Sequence, residues 1–228
     1  MMRITLSEAV ASLQTLYGLP KRPLSDPWLL VLWENIAYLA DDRRRQQALN
    51  QLIENVGSEP QAVLCASDDE LMAIGARGIV AKQTVKKLRR CAEIVIEEFG
   101  GDLRSVLKLP LAKAVKALQK FPGIGVPGAE KILLFCRAYP VFSLESNGLR
   151  VLLRLGFGAD HKNYSSMYRL VRQDIENELQ PDYEWMIRAH QLLRRHGQDV
   201  CRRTQPKCEE CPLAAKCLDY QSRIGKPK

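Results

Sequence analysis

Four of the seven cysteines, Cys201, Cys208, Cys211 and Cys217, fall inside 17 residues near the C-terminus. This crowding constrains the chain more than any other feature. The final 30 or so residues carry these cysteines and little else that could form a core. In a reducing compartment such a cluster is seldom a disulfide framework, so metal ligation leads. The spacing is Cys201-x6-Cys208-x2-Cys211-x5-Cys217. Structural zinc sites usually pair two x2 knuckles, or Cys with His; here there is one x2 pair and no histidine after it. Small electron-carrying ferredoxins use tighter runs. Cys65, Cys91 and Cys136 lie singly in apolar, helical-looking surroundings, where buried reduced thiols are the ordinary reading.

With 228 residues, 46% of them hydrophobic, the chain can bury one good core or two small lobes. No run of about 18 apolar residues suggests a membrane span. The first 16 residues do not read as a signal peptide, so a cytoplasmic, nucleoid-associated protein is expected. The net charge of +8 suits a polyanionic partner, because each cation placed at a phosphate releases a condensed counterion. A basic but indifferent surface fits the charge equally well.

Strand signals are nearly absent, and helical periodicity is punctuated by Gly and Pro. Ser25-Asp26-Pro27 opens a helix expected to reach Ala40, with a cap candidate followed by proline. Further helices are expected at 44–56, 68–74, 81–99, 103–106, 111–120, 126–137, 146–155, 164–179 and 183–196. On the 81–99 helix, Lys86, Lys87, Arg89 and Arg90 are expected to be exposed. Phe121-Pro122-Gly123-Ile124-Gly125 joins two helices. Two glycines around one apolar residue permit a tight turn with unshielded N–H groups at a helix N-terminus, where an anion is favoured. Ile124 would plug the helix pair.

Alone, this hairpin fits any helical corner. Some 75 residues ahead of the cysteine loop, and with His196-Gly197 just before Cys201, it resembles the endonuclease III-like helix-hairpin-helix DNA glycosylases from about Pro27 to Tyr220. The resemblance implies an all-α fold of two helical lobes with a groove between them. One lobe, residues 26–135, would be a six-helix barrel with the hairpin. The other, 1–25 with 136–228, would hold a [4Fe–4S] cluster on the four cysteines. Double-stranded DNA is the implied partner of an expected monomer. Gly123, Ile124, Gly125, Lys131, Arg202, Arg203 and Lys207 would contact it, and Ile79 would act as a wedge.

The chain departs from the family where chemistry is concentrated. Bifunctional members carry a nucleophilic lysine two residues after the second hairpin glycine; here that residue is Pro127. Most members carry an aspartate in a V-D-x-x-x-x-R-V pattern. Here the run is Leu144-Glu145-Ser146-Asn147-Gly148-Leu149-Arg150-Val151, with Glu145 one methylene longer. Asn147 matches the adenine-mismatch branch. Glu34 is the only charge between Pro27 and Ala40. Burying a carboxylate there is costly unless it is paired or functional, and the adenine-mismatch branch places its general acid at this point. Tyr38, one turn on, and Asn147 would line a pocket. The implied activity is a monofunctional N-glycosylase with Glu34 as general acid and Glu145 stabilising positive charge on the sugar. The alternatives are an inactive DNA-binding scaffold and an abasic-site lyase using Lys131.

Overall fold

The computed structural model describes residues 3–37 and 40–224. Among them lie twelve α-helices and no strand. In chain order they are α1 (Leu6–Tyr17), α2 (Pro27–Asn35), α3 (Asp42–Asn55), α4 (Pro60–Cys65), α5 (Asp68–Gly75), α6 (Ala81–Phe99), α7 (Leu111–Leu118), α8 (Val126–Phe135), α9 (Ser146–Leu155), α10 (Tyr164–Ile175), α11 (Tyr183–Asp199) and α12 (Leu218–Ile224). The expected all-α class is the observed one. The chain divides into two compact units, Pro23–Tyr139 and the pair Met1–Arg22 with Pro140–Lys228.

In the unit of 23–139, Asp26 caps α2 by accepting the N–H groups of Trp28 and Leu29, with Pro27 as its first residue. Trp28, Leu30, Val31 and Leu32 are buried, so almost the whole helix is core. It stops at Asn35 rather than Ala40. The Asn35 side-chain amide bonds back to the Val31 carbonyl at 3.0 Å, the kind of competing bond that loosens a last turn. On α6, Val85, Leu88, Ala92 and Val95 form the buried stripe. Of its four expected surface cations, Arg89 is a structural clamp: it donates to the carbonyls of Leu64 and Ala66 and to Asp68, fixing the link between α4 and α5.

The other unit opens with a helix that the apolar pattern had not singled out. Thr5 and Glu8 form a capping box on α1, and that bond from the Thr5 backbone is the main cause holding the Glu8 carboxyl below its ordinary range. Leu6, Ala9, Val10 and Leu13 face inward. α10 ends at Ile175, short of the expected 179, and passes into a 3-10 turn at Glu176–Glu178. There Glu178 accepts the Leu6 N–H and pairs with Arg3, an arrangement that rewards the turn over another helical one. The cysteine segment contains two 3-10 turns, Cys208–Glu210 and Ala214–Lys216, before α12.

Candidate functional site

The hairpin closes as its composition requires. Gly123 sits at φ +71°, where a Cβ is strained, and the Ile124 N–H bonds the Phe121 carbonyl at 3.2 Å. Ile124 is buried, and its side chain lies against Gly128. No side chain caps α8, so the first-turn donors it leaves unfilled remain open to an anion. Pro127 occupies the first turn of α8, where its missing N–H costs nothing.

One turn later Lys131 pairs with Glu34 at the end of α2. Their side chains keep only 14% and 20% of their exposure, so most of the pair is withdrawn from water. Beside it Asn35 is buried, with a side-chain oxygen that makes no hydrogen bond. Spacing alone left Glu34 and Lys131 as separate candidates; the packing of α2 on α8 brings them together. Tyr38, expected as a pocket residue, lies outside the described residues. Ile79 stands 70% exposed in the loop before α6.

In the other unit Glu145 caps α9. One carboxylate oxygen accepts the Gly148 N–H at 2.7 Å and the other accepts from the Asn147 amide at 2.8 Å. Asn147 in turn accepts from Arg150, and Arg150 donates to the carbonyls of Gly197 and Cys201. One helical turn on, Arg154 donates to the carbonyls of Arg202 and Arg203. A chain of bonds therefore runs from Glu145 to the first cysteine of the loop. Arg202 uses one N–H on the Asp199 carbonyl, Lys207 pairs loosely with Glu210, and the Arg203 side chain makes no bond to the described residues.

Cys201, Cys208, Cys211 and Cys217 all line one cavity of about 20 Å³. Burial is the main reason the Cys211 thiol is pushed up to about 11 and the Cys217 thiol is raised; the neighbouring cysteines add to both. Arg154 donates to the Cys201 sulfur and Arg223 to the Cys208 sulfur, each at 3.3 Å. His196 is buried between Tyr17 and the Cys211 sulfur, and burial takes its pKa down to about 4. Among the described residues, no three Cys, His, Asp or Glu side chains converge as ligands of a single ion. Four thiols around one cavity suit a multinuclear centre, in which each thiolate takes a different metal atom.

No family model matches the chain. It is 24% identical to the thymine-DNA glycosylase of Aeropyrum pernix over 90% of its own length and 87% of that protein. It is 23% identical to endonuclease III of Bacillus subtilis, over 64% of this chain and 60% of that one. Among solved structures, a trapped endonuclease III–DNA covalent intermediate superposes with TM-score 0.74 at 17% identity, covering 97% of this chain and 99% of that one. A thermostable thymine-DNA glycosylase gives 0.73 at 18% identity over 95% of each. The fold is thus the all-helical endonuclease III-like helix-hairpin-helix fold, as the hairpin and the cysteine spacing implied. Its curated relatives are endonucleases III and thymine-DNA glycosylases. No described helix is long and apolar enough to cross a membrane.

Proposed function

We propose that the protein is a DNA N-glycosylase of base-excision repair. The observation that carries this is the Glu34–Lys131 pair, a partly buried acid and amine held on α2 and on the helix that opens from the Gly123–Gly125 hairpin. Duplex DNA would be held through phosphates at the open N-terminus of α8 and by Arg202, Arg203 and Lys207. The four cysteines would hold a [4Fe–4S] cluster, whose chemistry here is to staple the loop that presents these cations. Ile79, exposed on its loop, is available as the wedge that occupies the space of a displaced base.

In an ion pair Glu34 is a carboxylate and accepts protons rather than donates them. It therefore serves better to take a proton from water attacking C1′ than as the general acid expected from the family pattern. Without a proton from Glu34, the base leaves with the bonding electron pair as an anion, and the Lys131 ammonium stabilises that charge. Bases that leave well in this way are lactam pyrimidines. Relatives named thymine-DNA and thymine/uracil-DNA glycosylases support that substrate class. Glu145, which accepts from the Gly148 N–H and the Asn147 amide, would oppose the positive charge that grows on the sugar. Asn147 would keep Glu145 oriented.

Duplexes carrying G·T and G·U mismatches, beside a panel of oxidised and alkylated bases, test the proposal. Alkali-dependent strand breaks at the pyrimidine are expected, and Glu34→Gln should lose roughly 10²–10⁴-fold in rate. If no base in the panel is excised, the protein is a DNA-binding scaffold. Lys131 supports a second reading, because a carboxylate at its amine could accept the proton released on Schiff-base formation. Borohydride trapping on abasic-site DNA, abolished by Lys131→Ala, would identify that lyase.

A further inference from the structure

The unit of 1–22 and 140–228 has a cavity of about 1040 Å³, walled by α9, α10 and the loop following α11; it includes Asn147, Arg202 and Arg203 of the reading above, which gives no role to the rest of its wall. Ligand sites commonly measure a few hundred to about 1,000 Å³. Four arginines line it, and they fall into two kinds. Arg150 and Arg154 are consumed by the carbonyls of residues 197 and 201–203 and by Asn147. Arg202 and Arg203 sit on the segment so clamped, exposed, with most of their guanidinium donors unused. The immobilised pair of arginines holds the exposed pair's backbone, which lowers the entropy lost when they close on an anion.

The rest of the wall is not what a bare phosphate needs. Tyr164, at the start of α10, is 41% exposed, and its ring lies nearly parallel to Tyr168 with centroids 6.3 Å apart. Tyr168 is itself buried, with Arg172 over its ring, so the exposed ring rests on a fixed support. Met167 adds apolar surface. Two carboxylates also line the cavity. Asp219 is neutralised by Arg154 and Arg223, whereas Asp160 is exposed and makes no bond to the described residues.

We propose that this cavity is a nucleotide site: Arg202 and Arg203 take a phosphate, Tyr164 stacks the base, and Asp160 accepts from a base N–H. Stacking on an aromatic face tolerates any base, and paired arginines suit a phosphate. The site would hold an unpaired nucleotide of a bound strand. The proposal rests on the DNA-binding half of the function above and not on bond cleavage.

Anisotropy titrations of a short labelled single strand and of a duplex, with wild type and Tyr164→Ala, Tyr164→Phe and Arg203→Ala, test it. Circular dichroism would verify that each variant is folded. Tyr164→Ala should weaken single-strand binding roughly tenfold, as loss of one stacked base does, while Tyr164→Phe binds as wild type. Arg203→Ala should flatten the salt dependence by about one unit. Competition by dAMP, but not by equal inorganic phosphate, would extend the site to free nucleotides; competition by neither restricts it to a strand. Wild-type single-strand affinity in folded Tyr164→Ala overturns the proposal, even if Arg203→Ala is impaired. Duplex binding without single-strand binding also overturns it and leaves the glycosylase reading standing. Binding to neither removes both.

Discussion

At the scale of single residues, Glu145 does two jobs that its position in the sequence does not separate. It caps α9 and it orients Asn147, so any substitution there tests structure as well as chemistry. Glu145→Gln should cost about 1 kcal/mol through the weakened cap, or about 2–4 °C in Tm for a chain of this size. Glu145→Asp keeps an acceptor at the cap and should melt near wild type. Equal melting temperatures for Gln and wild type would show that the charge of Glu145 contributes nothing to the cap. The Glu34–Lys131 pair is open to a double-mutant cycle. Lys131→Met strands a partly buried carboxylate, so adding Glu34→Gln should restore part of the loss, with a coupling of about 0.5–3 kcal/mol. Additive losses would mean that the two groups do not interact. Burial pushes the thiols of Cys91 and Cys136 up to about 12, and the thiolate is the reactive form. Below that pH both remain protonated. Iodoacetamide at about pH 8 should therefore label the exposed Cys65 first, as peptide mass spectrometry would show; prompt labelling of Cys91 would contradict its burial.

At the scale of elements, the packing of α9 on α11 depends on Gly197. A Cβ there would stand 2.5 Å from the Asn147 carbonyl oxygen and 2.7 Å from its carbonyl carbon, backbone atoms that cannot step aside cheaply. The glycine lets the two helices approach until Arg150 can reach the Gly197 carbonyl. Gly197→Ala should destabilise by about 1–3 kcal/mol in urea unfolding and disturb Asn147, despite alanine's higher helix propensity. A variant as stable as wild type would show that the helices have room to move. Glycine in a helix interior is an ordinary weakness on sequence grounds. Here its missing side chain is the condition for contact.

At the scale of the whole molecule, the described residues after Cys201 have only Leu213 and Cys217 buried and only short helical pieces, so ordinary core packing contributes little to the order of this segment. The proposed metal centre on the four cysteines would supply that order, and metal affinity would then become folding free energy for this region. Purified protein should be brown and contain iron and acid-labile sulfide in equal amounts. Oxidative removal of the iron should open the Arg202, Arg203 and Lys207 bonds to trypsin, with helices of residues 27–135 still protected. An identical digest with and without iron would show that the loop is held by other means.

Much of this protein was legible in its sequence because the relevant physics is local. Helical periodicity gave α6 and α9 to the residue, since an apolar stripe every three or four positions has one solution. Gly123 and Gly125 marked the hairpin, because a turn of that shape excludes most other residues. α1, α4 and α12 escaped that reading. They are short or lie near an end, and they draw their stability from neighbours distant in sequence; Lys216 on Glu8 and Glu178 on the Leu6 N–H are examples. The candidate site divides in the same way. The cysteine spacing and the lone charge of Glu34 were visible residue by residue. The pairing of Glu34 with Lys131, 97 positions away, was not. Nor was the bond chain from Glu145 to Cys201, which required α9 and α11 to be side by side. A sequence lists the groups that can act; which charge neutralises which is decided by tertiary packing, because an ionic contact of a few ångströms leaves no periodic trace along the chain.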